Sequence, residues 1–156
     1  MKKNTNKEFT AAFLYYDQQN MNGRIYSEEC AESIVNQIKD IQKTDRPVLG
    51  EYGNPSRMEI GMCNVSHEVI DVHVDKETKS IIGTIRLLDT PVGKKVLEAL
   101  ESNSPFTNFD NRFVVRSRGT GKIDPSGYIT DYTLFSFDII EKEDDAFKNI
   151  TDDFHV

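Results

Sequence analysis

Val65-Ser66-His67-Glu68-Val69-Ile70-Asp71-Val72-His73-Val74, the polar break Asp75 to Lys79, and then Ser80-Ile81-Ile82-Gly83-Thr84-Ile85-Arg86-Leu87-Leu88 decide the architecture of this chain. Both apolar runs are rich in β-branched residues, and the first alternates in part, so they read as two strands of an antiparallel hairpin. Thr90-Pro91 follows at once and opens a helix, because proline suits the first helical position, with Val92, Val96, Leu97 and Leu100 on one face. Upstream, Phe9 to Tyr16 reads as a buried strand and Asn22-Gly23 as a turn. Ser27 is placed to cap a helix whose first turn carries Glu28 and Glu29, and Cys30, Ile34, Ile38 and Ile41 recur at helical spacing up to about Lys43. Val48 to Glu51 is a short strand, and Gly53-Asn54-Pro55-Ser56 a turn. Downstream, Phe109 to Arg116 and Tyr128 to Ile140 are the last strands, joined by a Gly-rich turn from Arg118 to Gly127. A short helix from Asp144 to Ile150 closes the chain. Strands and helices alternate only partly, which predicts an α+β fold with a curled, mainly antiparallel sheet.

A length of 156 residues fits a single domain, with residues 8–141 as its core and 142–156 as an acidic segment exposed to solvent. The charged fraction of 29% against 37% apolar is polar for a globular chain but short of disorder. A net charge of −7 offers no overall basic surface, so nucleic acid is not an expected partner. The run Ala11 to Tyr16 is too short to span a bilayer, and the charged start lacks a signal-type apolar run, so a soluble, intracellular chain without a membrane partner is expected. Cys30 and Cys63 form neither a disulfide framework nor a metal-type pair and read as reduced structural thiols.

Two groupings could carry chemistry. Ser117 stands where a strand runs into Arg118-Gly119-Thr120-Gly121, a place that can expose a nucleophile and aim backbone N–H groups at an oxyanion; the plain alternative is a hairpin turn with a surface serine. His67 and His73 share strand parity with Cys63 and Asp71, but ligands along one strand are about 7 Å apart at each step of two and do not converge on one ion. No metal site and no cofactor are therefore expected. His155 reads as a tail residue. No phosphate loop, dinucleotide fingerprint or metalloprotease helix is present.

In order, Asn22-Gly23-Arg24-Ile25-Tyr26, Leu49-Gly50-Glu51, Val65-Ser66-His67-Glu68-Val69-Ile70, Gly83 to Gly93, Ser117-Arg118-Gly119-Thr120-Gly121 and Phe135-Ser136-Phe137-Asp138-Ile139-Ile140 resemble the prohead core proteases of tailed bacteriophages, relatives of the herpesvirus capsid-assembly protease. The resemblance spans roughly residues 13–141. It implies a small, mainly antiparallel β-barrel flanked by two or three helices. It further implies cleavage of scaffold and major capsid proteins during head maturation in the host cytoplasm. In that family the general base is a histidine in His-Pro, which follows Gly-Glu after two intervening residues, and the nucleophile lies in a Ser-Ser-Arg-Gly stretch.

At both places the chain departs from that pattern. Asn54 occupies the histidine position, and an amide has no titratable nitrogen to take a serine proton. Arg116 stands at the first serine position and Ser117 at the second. Two readings follow. In one, the fold persists as a capsid-associated structural or head-assembly protein, retained in the virion and binding capsid or scaffold protein, with self-association allowed. In the other, an active serine protease uses Ser117 as nucleophile, His67 as base, and Arg118 with the Gly119 amide for the oxyanion. A third reading, some other β-rich binding module, would be supported by a structure without the barrel and its two packed helices.

Overall fold

The computed structural model describes residues 7–53, 60–103 and 109–147. The hairpin forms as expected: β4 (Val65–Asp75) turns into β5 (Ser80–Leu87), antiparallel from His67 opposite Leu87 to Asp75 opposite Ser80. Around it stand β1 (Glu8–Tyr15) and β3 (Leu49–Glu51), giving a four-stranded antiparallel sheet in the order β1-β5-β4-β3. A second sheet runs β2-β7-β6, from β2 (Ile25–Tyr26), β6 (Phe113–Ile123) and β7 (Tyr128–Glu141), with β2 parallel to β7.

The helices start where the caps indicate. Helix α1 (Glu28–Gln42) begins after Ser27, whose hydroxyl accepts the Cys30 N–H at 3.0 Å. Helix α2 (Pro91–Asn103) is capped by Thr90, whose Oγ1 accepts the Gly93 N–H at 2.9 Å and donates to the Val65 carbonyl, fastening the helix to β4. Two glutamines on α1 serve both sheets: the Gln37 amide pairs with the Tyr132 carbonyl and Leu134 N–H of β7, and Gln42 donates to the Ile70 carbonyl of β4. Phe13, Ile34, Ile38, Ile81, Ile85, Phe137 and Ile139 fill the core between these elements and have no exposed surface. Cys30 faces that core, and Cys63 is exposed. No described helix is long and apolar enough to cross a membrane.

Several expectations give way. Among the described residues the two sheets do not close into a hydrogen-bonded barrel. They meet at one parallel bridge, Tyr52 with Ile139, extended by Gly53 N–H to the Ile139 carbonyl at 2.8 Å. Elsewhere side chains, rather than a ladder, join them. Phe109–Arg112 is a helical turn (α3), so the strand begins at Phe113. The segment from Ser117 to Ile123 is strand, not flexible turn: the register slips between Arg118 and Gly119 and between Thr120 and Lys122, so the glycines serve β-bulges. A Cβ on Gly119 would lie 2.2 Å from the Thr133 carbonyl oxygen, which is why glycine is needed there. The true turn is Asp124 to Gly127, where the Asp124 carboxylate accepts the Ser126 and Tyr128 N–H groups and Gly127 takes φ +95. A bulge between Val69 and Asp71 also reverses the parity of β4, so His67 is buried while Asp71 and His73 face solvent. Near the end, Lys142–Asp144 forms a single 3-10 turn, and residues 148–150 of the expected last helix lie outside the described residues.

Candidate functional site

The motif residues of β3, β6 and β7 converge on a buried polar network across the junction of the sheets. Glu51, at the end of β3, has no exposed surface, and its Oε2 accepts from Arg118 Nη2 and from the Gly61 N–H, each at 2.8 Å. Asn64 Nδ2 donates to Oε1 at 3.2 Å. On β7, Asp138 Oδ2 accepts from Arg118 Nε at 2.7 Å, while Oδ1 accepts from the Ser136 hydroxyl at 2.6 Å and the Glu51 N–H at 3.1 Å. Arg118 lies opposite Ser136 in the ladder, one diagonal step from Asp138, which is how alternation along β6 brings cation and carboxylate together. Burial alone would push the Glu51 carboxyl up, but the hydrogen bonds from Gly61, Asn64 and Arg118 outweigh it and hold the group below its ordinary value. The reverse balance acts on Arg118: burial disfavours its charge, and Asp138 and Glu51 more than restore it.

His67 stands behind this network and is fully enclosed. Its Nε2 lies 2.7 Å from the Phe137 carbonyl, which can only accept, so Nε2 carries the proton. Nδ1, 2.7 Å from Ser66 Oγ, then accepts from that hydroxyl. The ring is neutral with both nitrogens occupied; burial pushes its pKa down to about 4 against the raising pull of the Phe137 carbonyl and Asp138. Gly50 makes room for it. A Cβ there would lie 2.2 Å from both His67 Nε2 and the Phe137 oxygen, so the Gly50-Glu51 pair reads as space for the imidazole followed by an anion for Arg118.

Arg116 is equally committed. Its guanidinium bonds Asp145 through Nε at 2.7 Å and Nη2 at 2.8 Å, donates to the Ala12 carbonyl of β1 at 2.7 Å, and lies over the rings of Tyr15 and Phe147. Ser117 projects from the other side of β6 into a groove of about 660 Å³. Tyr26 and Tyr132 line the same groove, and their rings meet edge to face. Burial raises both phenols above their ordinary value, so neither is a phenolate able to take the serine proton near neutrality.

Of the residues singled out from the sequence, Ser117 lines the groove, whereas His67 is enclosed and bonded to Ser66 and Phe137. Arg118 belongs to the ion cluster with Glu51 and Asp138, Gly119 occupies a bulge, and Asn54 lies outside the described residues. Among the described residues no three His, Cys, Asp or Glu side chains are grouped to hold a metal ion.

No protein-family model matches the chain, and neither does any curated protein sequence. A solved structure does: the bacteriophage T4 capsid assembly protease, gp21, superposes with a TM-score of 0.69 over 85% of this chain and 80% of that one, at 19% identity. The fold is that of a phage capsid-assembly protease. At such low identity the likeness concerns the fold, and chemistry must come from this chain's own side chains.

Within the capsid-assembly-protease fold, the network residues that sequence reasoning left without a role are Glu51, Ser66, Ser136 and Asp138. A signal for them exists. Two carboxylates inside otherwise apolar strands, Val48 to Glu51 and Phe135 to Ile140, require a buried cation, and Arg118 is the cation that the β6–β7 ladder can deliver.

Proposed function

We propose that this chain acts in phage head assembly as a binding protein built on the capsid-assembly-protease fold, without a working serine-protease centre. The observation that carries the reading is the occupation of His67, whose two ring nitrogens are already engaged by Ser66 and Phe137. A serine hydroxyl is a weak nucleophile until a base takes its proton, and losing one triad member costs several powers of ten in rate. Asn54 at the family's histidine position and Arg116 at its first serine position point the same way. The herpesvirus-type ancestry inferred from the motifs belongs to this proposal, as do the host cytoplasm and the finished capsid as sites of action.

What remains useful in such a molecule is its surface. A protease fold offers strand edges and grooves shaped for polypeptide, and these retain affinity when cleavage is lost. Capsid or scaffold protein is the partner this implies. The test is quantitative mass spectrometry of immature and mature heads of the virus that encodes the chain. A fixed ratio of full-length chain to major capsid subunit is expected. Loss of the chain from mature heads, with self-cleaved fragments that vanish in a Ser117→Ala variant, would establish a maturation protease instead.

A further inference from the structure

Asn22-Gly23 is the one place in the chain where glycine follows asparagine. Both residues are exposed, on the loop after β1, and the Asn22 side-chain amide has no hydrogen-bond partner among the described residues. The neighbouring Asn20 differs: it is buried, and its Oδ1 accepts the Asn22 and Arg24 N–H groups at 2.9 and 3.1 Å. Asn64 is committed too, its Nδ2 donating to Glu51 and to the Tyr52 carbonyl. Gly23 takes φ +77, and a Cβ there would meet only Gln19 Nε2, at 3.7 Å, so no side chain shields its main-chain nitrogen. That nitrogen is restrained by its N–H bond to the Asn20 carbonyl at 3.0 Å. The same loop is tied to the segment after β7 by the Met21 N–H to the Ala146 carbonyl at 2.8 Å.

We propose that Asn22 is a self-modifying site, which converts to aspartate and isoaspartate without an enzyme at a rate that the Asn20 turn holds back. The Gly23 nitrogen, once it has lost its proton, attacks Asn22 Cγ and closes a five-membered imide. The bond from Cγ to Nδ2 breaks, and Nδ2 leaves as ammonia with the proton. Water then opens the ring at one of its two carbonyls. Opening at Cγ gives aspartate; opening at the main-chain carbonyl gives isoaspartate, whose main chain runs through Cγ and is one methylene longer. Nothing is oxidised or reduced: one water is consumed and one ammonia released. The Gly23 N–H must leave the Asn20 carbonyl before it can ionise, so opening of the turn precedes the chemistry. Asn20 Oδ1 opposes that opening through its bonds on either side of Gly23. The product changes the surface. The added charge lies on a loop tied to the segment that carries Glu143, Asp144 and Asp145, and the longer main chain of isoaspartate no longer lets Asn20 hold residues 22 and 24 together. The wall formed by the loop and that segment therefore loosens in one direction with age, whether or not the chain cleaves protein.

The experiment ages the full chain in mildly alkaline buffer beside a synthetic peptide of residues 18–28. Peptide mapping by mass spectrometry reads the amide-to-acid mass gain at residue 22, and methyl labelling specific for isoaspartate reads the rearranged product. Conversion is expected at Asn22 ahead of every other asparagine, rising with pH and at least about fivefold slower than in the peptide. Asn20→Ala should speed it about tenfold, because two bonds that hold the turn are lost, and Asn20→Asp, which keeps the acceptor, should stay within about twofold of wild type. The comparison of chain with peptide keeps the test decisive if the alanine variant folds poorly. Converted chain, separated from unconverted chain by its extra charge, should show faster amide exchange at Met21 and Arg24, with the β4–β5 hairpin unchanged. An Asn22 that stays intact while the peptide converts completely would overturn the proposal. So would equal rates in chain and peptide, equal rates in Asn20→Ala and wild type, or unchanged exchange at Met21 and Arg24 after conversion.

Discussion

Arg118→Met is expected to destabilise the protein by about 3–5 kcal/mol, a large share of the roughly 5–15 kcal/mol that a domain possesses. The loss comes less from the missing attraction than from what it leaves behind: Glu51 and Asp138, with 0% and 3% of their surface exposed, would stay buried as carboxylates after losing the guanidinium they both bond. Methionine matches the arginine stem well enough that a cavity is a minor part of the effect. Urea unfolding of the wild type and variant at neutral pH gives the number. A triple variant, Arg118→Met with Glu51→Gln and Asp138→Asn, removes the cation and both carboxylate charges together and should recover much of the loss. A single variant within about 0.5 kcal/mol of wild type would mean that the cluster does not join the two sheets as described.

Stability is expected to fall by about 2 kcal/mol between pH 6.5 and pH 5 because of His67. Its imidazole is held neutral in the folded chain, with a pKa of about 4, while the unfolded chain binds a proton near the ordinary value of about 6.5. Between those values the unfolded state carries more protons than the folded one, so stability rises with pH; the contribution is complete above about 6.5 and gone below about 4. Glu51 acts in a lower window: its depressed carboxyl adds stability above about 4.3 that disappears as pH falls through its folded value. The interval from 6.5 to 5 therefore isolates the histidine from Glu51. Denaturant unfolding across that interval should show the decline, and a His67→Gln variant, which does not titrate, should flatten it. A His67 imidazole that titrates near 6.5 in the folded protein would contradict the enclosed geometry.

Local chemistry made part of this fold readable in advance. Ser27 with two glutamates, Thr90-Pro91, and the β-branched runs about Asp75 to Lys79 each act through neighbours in sequence, and α1, α2 and the β4–β5 hairpin formed there. What could not be read depended on partners far along the chain. The glycines at 119 and 121 look like a turn until Thr133, Thr130 and Tyr132 are seen to crowd them, and the bulge at Ile70 that parts His67 from His73 leaves no mark in the pattern. A side chain rather than a ladder joins the sheets at Arg116 and Ala12, and no closed barrel is found among the described residues. At the site, Ser117 and His67 were visible as reactive residue types, whereas the occupation of both His67 nitrogens depends on Ser66 and on the distant Phe137 carbonyl.

The motifs that resemble those of the prohead proteases coincide with the parts that hold the sheets together: Gly50 and Glu51, Ser66 and His67, Arg118, Ser136 and Asp138 all meet at one junction. On the proposed reading, a sequence can keep these residues for stability while other residues, Arg116 and Asn54 here, stand at the nucleophile and base positions. The most direct measurement is the intact mass of the purified chain after incubation with a fluorophosphonate, which labels a serine only where a base activates it. An unmodified mass is expected, identical for wild type and Ser117→Ala. A stoichiometric adduct on Ser117, absent from the variant, would contradict the claim that this fold carries no working protease centre.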